Sequence, residues 1–129
     1  MEESLPFKLV LLGESGVGKS SLMNRYISNT FNINISHSVS ANFSSKTMLL
    51  KDFNKSIKFD LWYTVGDKRY RELAKVFYKD CNGCLLIYDI SGRKSFDELK
   101  NYWIPNIRSN HSNFDNIGKN KFIFIYSFK

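Results

Sequence analysis

Gly13-Glu14-Ser15-Gly16-Val17-Gly18-Lys19-Ser20 constrains this chain more than any other stretch. It satisfies the G-x-x-x-x-G-K-[ST] phosphate-binding pattern at every fixed position. The flanks supply the context that pattern needs. Phe7-Lys8-Leu9-Val10-Leu11-Leu12 reads as a buried strand, and Ser21-Leu22-Met23-Asn24-Arg25-Tyr26-Ile27 reads as a helix with Leu22, Tyr26 and Ile27 on one face. Strand, glycine loop and helix in that order put backbone N–H groups and a positive helix end around an anion. In such a loop Lys19 would contact the β- and γ-phosphates of a nucleotide. Ser20 would offer its hydroxyl to Mg²⁺, and the N–H groups of residues 14–20 would cradle the phosphates. The loop alone does not distinguish ATP from GTP.

The rest of the composition narrows the class. A length of 129 residues allows one domain with a sizeable core, spanning residues 1–129. Hydrophobic residues at 43% and aromatics at 16% describe a folded chain. The formal charge is +7 and the pI is near 9.4. Its Lys and Arg residues are spread along the sequence without a basic run, so a solvated surface is the better reading and no nucleic-acid partner is expected. No apolar stretch approaches the ~20 residues of a membrane span. Met1-Glu2-Glu3-Ser4-Leu5-Pro6 has neither a basic start nor an apolar core, and residue 2 is not the glycine of an N-terminal acylation signal. Cys81-Asn82-Gly83-Cys84 has the C-x-x-C spacing of a redox pair or half a zinc site. Here it precedes a strand instead of opening a helix, and His37 and His111 are isolated in polar stretches. Two reduced cysteines, one of them packed as a small hydrophobe, fit better and agree with a cytoplasmic location.

Periodicity predicts strands at 7–12, 45–52, 56–62, 84–89 and 121–126, and helices at 19–28, 68–79 and 95–109. A polar loop covers 29–44. The strands at 45–52 and 56–62, joined across Phe53-Asn54-Lys55, should be antiparallel. Pro105 should kink the last helix or limit its final turns. Strands alternating with helices predict an α/β fold: a mostly parallel sheet with one antiparallel edge strand and helices on both faces. Its ligand site belongs at the carboxyl ends of the strands. The sequence ends at Lys129, just after the buried-looking strand Phe122-Ile123-Phe124-Ile125-Tyr126. Either a following helix is absent or one side of the sheet is thinly covered.

Several segments together resemble the Rab-type small GTPases of the Ras superfamily. They are Gly13 to Tyr26, Phe31, Leu61-Trp62-Tyr63-Thr64-Val65-Gly66-Asp67-Lys68-Arg69-Tyr70-Arg71-Glu72-Leu73, Phe77-Tyr78-Lys79-Asp80-Cys81-Asn82-Gly83, and Leu86-Ile87-Tyr88-Asp89-Ile90-Ser91. The resemblance runs from about residue 7 to 129. It implies a P-loop small-GTPase-like domain whose last strand and helix are missing. It also implies GTP or GDP with Mg²⁺ bound at Gly13, Glu14, Ser15, Gly16, Val17, Gly18, Lys19, Ser20 and Ser21. Phe31 would pack on the base, or act as a core anchor after the first helix. Ser38 would join Ser20 as a metal ligand and sense the γ-phosphate, or be a plain loop serine. The N–H of Gly66 would meet the γ-phosphate, unless it is a simple turn glycine. Phe43, Trp62 and Phe77 match an exposed aromatic surface for effectors, with buried packing as the rival reading. Effector and regulator proteins would bind through residues 32–44 and 62–78, and the chain would be a monomer.

The departures from that pattern bear on activity. Where the family reads Trp-Asp-Thr-Ala-Gly-Gln, this chain reads Trp62-Tyr63-Thr64-Val65-Gly66-Asp67. Tyr63 brings no negative charge to the Mg²⁺ shell. Asp60, three residues earlier on a strand, should face the other way. Asp67, at the position that orients the attacking water, is an acceptor only when ionised and would be repelled by a γ-phosphate. Ser127-Phe128-Lys129 stands where the base-reading Asn-Lys-x-Asp belongs, so Lys129 alone matches and guanine selectivity loses its carboxylate. No cysteine near Lys129 can carry a lipid, so no intrinsic membrane anchor is expected in this chain. Endomembrane attachment would need a lipidated C-terminus beyond it. The expected function is a GTP/GDP switch of vesicle traffic with impaired hydrolysis. The alternative is a pseudo-GTPase interaction module, or a truncated product without turnover.

Overall fold

A computed structural model describes residues 5–28, 42–63, 67, 69, 71–110 and 122–127. Its elements run β1 (Leu5–Leu12), α1 (Lys19–Ser28), β2 (Asn42–Leu50), β3 (Lys55–Tyr63), a 3-10 turn (Arg71–Ala74) leading into α2 (Lys75–Tyr78), and β4 (Gly83–Tyr88). Then come α3 (Arg93–Glu98), a π-helical turn (Leu99–Trp103), α4 (Ile104–Asn110) and β5 (Phe122–Ser127).

The strands form one sheet in the order β2-β3-β1-β4-β5. β1 is parallel to both β3 and β4, β4 is parallel to β5, and only the edge pair β2–β3 is antiparallel. This is the architecture expected of alternating strands and helices, with the antiparallel strand at the edge. A short 3-10 turn, Lys51–Phe53, closes the hairpin, and Asn54 takes the left-handed conformation at φ 48°. Asparagine tolerates that region better than most residues with a side chain.

Alternation along the strands sorts the core into two faces. Val10, Leu12, Cys84 and Leu86 point to the side covered by Ala74, Tyr78, Leu99, Trp103 and Ile107. Leu11, Leu61 and Ile87 point to the other side, where α1 places Met23. Asp60 and Tyr63 fall on opposite faces as strand geometry requires. Tyr63 packs with the α1-side cluster, whereas Asp60 accepts a hydrogen bond from Ser45 Oγ at 3.2 Å. Leu9, Leu22, Met48 and Phe59 line an open apolar cavity of about 300 Å³ beside α1, so cover on that face is thin among the described residues. The side-chain burial of β5, for which thin cover was expected, lies outside the described residues.

Several expectations need correcting. On α1, Leu22 and Tyr26 share one face at the cavity as expected, but Tyr26 is 36% exposed and Met23 is the buried apolar residue. The polar loop ends earlier than expected. β2 starts at Asn42, since pairing with β3 carries Ser44 and Ser45 into the sheet despite their weak strand pattern. Among the described residues of the helix expected at 68–79, only a 3-10 turn and one α-turn form, with Leu73 and Val76 exposed and Ala74 and Tyr78 buried. Pro105 does not end its helix. The chain widens into a π turn just before it, the Ile104 N–H donating to Leu99 O, and continues to Asn110. An α-turn there would press the proline ring on the carbonyl of Asn101. Both cysteines, not one, are buried, and they form no disulfide, with their sulfurs 3.2 Å apart. That contact and burial push the Cys84 thiol pKa up. No helix among the described residues is long and apolar enough to cross a membrane.

Trp103 is fully buried, and its indole N–H has no hydrogen-bond partner among the described residues. Trp103→Ala should cost about 3–5 kcal/mol of stability through lost burial and a cavity. Trp103→Phe should cost clearly less, because it removes the unpartnered donor while keeping most of the ring. Urea unfolding of the two variants separates these outcomes.

Candidate functional site

The parallel arrangement of β1, β3 and β4 brings their carboxyl ends to one edge of the sheet. Three loops leave from there: Gly13–Gly18 after β1, the segment containing Asp67 after β3, and Asp89–Gly92 after β4.

The glycine loop is shaped by backbone conformations that side chains resist. Gly13, Gly16 and Gly18 take φ of 152°, 81° and 105°. At Gly13 the reason is also steric. A Cβ there would stand 2.2 Å from the carbonyl oxygen of Ile87, so β4 passes directly beneath the loop. Leu22 N–H then donates to Gly18 O at 2.8 Å, starting the first turn of α1.

Lys19 folds back into this loop. It is 7% exposed, and Nζ donates to the carbonyls of Gly13 and Glu14, both at 2.8 Å. Burial pulls its pKa down to about 8, against a smaller upward pull from the Glu14 carboxylate. A buried ammonium held by neutral carbonyls of the glycine loop is prepared for an anion that would favour its charged form. Ser20 and Ser21 follow in the first turn of α1 and are partly buried.

The loop after β4 is braced by its own side chains. Asp89 Oδ1 accepts from Ser91 N–H at 2.8 Å and Ser91 Oγ at 2.6 Å. The buried Ser95 hydroxyl accepts from Asp89 N–H at 2.9 Å and donates to Gly92 O at 2.7 Å. The Tyr88-Asp89-Ile90-Ser91 run therefore builds a turn, a role the residues alone did not disclose.

Asp67 is not a bare carboxylate. Arg69 donates to it from its backbone N–H at 2.9 Å, from Nε at 3.2 Å and from Nη2 at 2.9 Å. Both carboxylate oxygens are thereby engaged by a neighbouring cation, and the repulsion expected against a phosphate is reduced. Tyr63, at the end of β3, packs its ring into the α1-side cluster beside Leu9 and Leu61. Phe43, Trp62 and Phe77 form a continuous row on the opposite face, with centroids 4.6 Å and 5.0 Å apart, and Phe43 is exposed. Trp62 and Phe77 are partly buried against the core, which supports the packing reading for them. Phe31, Ser38, Gly66 and Lys129 lie outside the described residues. No group of three His, Cys, Asp or Glu residues able to hold a metal occurs among the described residues.

A cluster that motif reading missed joins these loops. Arg71 ion-pairs with Glu98 at 2.8 Å and with Glu14 of the glycine loop at 3.7 Å, all three side chains being largely buried. Its only sequence signal is a set of opposite charges far apart in the chain, which no spacing rule connects.

With that geometry in view, comparison with known proteins is specific. The Ras family model matches residues 8–123. Ras-related protein RabC of Dictyostelium discoideum is 37% identical over 107 residues, covering 83% of this chain and 54% of that protein. A probable Rab-related GTPase of Acanthamoeba polyphaga mimivirus is 38% identical over 108 residues, covering 84% and 49%. Human Ras-related protein Rab-8B is 40% identical over 106 residues, covering 82% and 50%. The chain spans about half the length of the curated relatives it matches.

Gly13→Ala should test the close approach of loop and strand. With a positive φ and no space for Cβ, the substitution should destabilise the chain by roughly 2–3 kcal/mol. A thermal melt unchanged from the parent would show that the loop does not pack on Ile87.

Proposed function

This chain belongs to the Ras family, among its Rab-type small GTPases, and from that premise we propose that it binds GDP and GTP through Gly13–Ser21 as a trafficking switch whose hydrolysis is weak. The observation that carries the reading is the buried Lys19 ammonium, folded under the positive-φ glycine loop at the carboxyl end of β1. Loop amides and Lys19 would neutralise the phosphate charge.

The residues present fit a nucleotide-borne Mg²⁺ better than a free one. Ser20 offers one hydroxyl, and the remaining ligands would have to come from the nucleotide's phosphates, from water and from Ser38, since no acidic cluster is described nearby. Bound there, the ion would supply positive charge to offset the negative charge of the phosphates. Within the chain, Lys19 binds the phosphates, the glycine amides orient them, and Asp67 would accept a hydrogen bond from an incoming water.

Two observations favour weak turnover. Tyr63 turns its ring into apolar packing and offers no charge to a metal shell. Asp67 is held by Arg69, so presenting a carboxylate oxygen to water requires that pair to open. A reading as an interaction module without turnover draws on the same two observations. In either case the Phe43–Trp62–Phe77 row, with Phe43 exposed and Trp62 and Phe77 partly buried, would supply an aromatic surface for protein partners.

Titration of the purified chain with GDP, GTP and ATP, each with and without Mg²⁺, tests the reading. Mg²⁺-dependent binding of GDP and GTP over ATP is expected, and Lys19→Ala should weaken it by at least about a hundredfold, as loss of a buried charge partner implies. Equal, weak binding of all three nucleotides would refute the switch. In single-turnover assays, Asp67→Gln should speed hydrolysis. An unchanged or slower rate would mean that Asp67 does not limit it.

A further inference from the structure

The segment after Asp67 returns to the glycine loop through one side chain. Arg71 opens the 3-10 turn, its N–H donating to Asp67 O at 3.0 Å. Its side chain is 16% exposed. Its Nη1 donates to Glu98 Oε2 of α3 at 2.8 Å and lies 3.7 Å from Glu14 Oε1. The guanidinium carbon stands 3.3 Å from the centroid of the Tyr102 ring. Tyr102 in turn donates its hydroxyl to Glu72 Oε1 at 3.0 Å, and Glu72 pairs with Lys75 at 2.6 Å. The glycine loop, the 3-10 turn, α3 and the π turn therefore meet at Arg71.

Two features make this more than surface pairing. Arg71 lies against two largely buried carboxylates, Glu98 and the Glu14 carboxylate that also acts on Lys19, so removing it takes a guanidinium from both in a partly desolvated setting. Glu14 also does two things at once. Its carboxylate faces Arg71 while its carbonyl accepts from Lys19 Nζ. A displacement at one contact is transmitted to the other through a single residue.

The π turn explains why Tyr102 is available. Neighbouring residues of an α-helix point about 100° apart. Widening the turn lets Trp103 fill the core while Tyr102 still reaches Arg71, the two rings meeting edge-to-face at 5.0 Å. Helical π turns recur at functional positions.

We propose that Arg71, clamped by Tyr102 and Glu98, is a positioning residue that holds the glycine loop through Glu14 and thereby slows release of a bound nucleoside diphosphate. The kinetic part of this proposal rests on the nucleotide-binding reading. The clamp itself does not. Loosening the 3-10 turn frees Glu14, and with it the carbonyl that anchors Lys19.

The test uses the full chain and the variants Arg71→Ala, Arg71→Lys, Tyr102→Ala and Tyr102→Phe. Arg93→Ala, which removes an exposed pair with Asp97, serves as control. Release of a fluorescent GDP analogue in Mg²⁺ should quicken about tenfold in Arg71→Ala and Tyr102→Ala, in the range of a typical coupling between sites. Arg71→Lys should fall between, because it keeps the charge but not the planar stack. Tyr102→Phe should stay within about twofold. In parallel, amide hydrogen exchange of the nucleotide-free chain should show lost protection over residues 13–20 in Arg71→Ala and not in Arg93→Ala. Release and loop exchange both unchanged in Arg71→Ala, even with a lowered melting temperature, would overturn the proposal and leave a role in stability alone. Failure of the parent chain to bind nucleotide would overturn the function proposed above and the release claim with it. The exchange arm would then decide the Arg71–Glu14 clamp by itself, protection lost supporting it and protection retained overturning it.

Discussion

Lys19 carries a cation into a position almost closed to water, where the carbonyls of Gly13 and Glu14 accept its hydrogen bonds. Much of the molecule follows from that placement. The carbonyls can converge on the ammonium because the glycine loop turns through positive φ values, and it can do so because Gly13 leaves room for the Ile87 carbonyl. Desolvation weakens the hold on the proton, and Glu14 partly restores it. A side chain in that condition gains most from a nearby anion, which is the physical basis for reading the loop as a phosphate site.

The sheet supplies the frame. Three parallel strands end at one edge, so loops remote in sequence become neighbours. The antiparallel β2 extends the frame at its far edge and sets Phe43 beside Trp62. Apolar packing against α2, the π turn and α4 fills one face densely, while the α1 face keeps an open apolar cavity. Charge follows the same division. The cluster around Arg71 lies where the glycine loop meets the densely packed helical side, and it joins parts of the chain that the sheet alone does not connect.

The loop, α1 and the mostly parallel sheet with its antiparallel edge pair were legible in the sequence because they rest on local rules. A glycine pattern between an apolar run and an amphipathic run leaves few alternatives, and α1 occupies the residues expected of it. The opposite faces of Asp60 and Tyr63 followed from strand alternation alone. The segment at 68–79 was misjudged for an equally physical reason. Its apolar residues have helical spacing, but Leu73 and Val76 are exposed, so periodicity overstated the helix. At Pro105 local rules foresaw a disturbance without its form, a π turn that relieves the proline and leaves Trp103 in the core.

What the sequence determined by itself, then, is the α/β architecture and the phosphate-type loop, since both depend on spacing between near neighbours. Tertiary structure alone decided that Asp67 is held by Arg69, that both cysteines are buried together, and that Arg71 joins Glu14 to Glu98 beneath Tyr102. Asp67 and Arg69 are close in sequence, yet their pairing depends on how the chain turns after β3. The Arg71 partners are separated by 57 residues or 27 along the chain, so only folding brings their charges within range of one another.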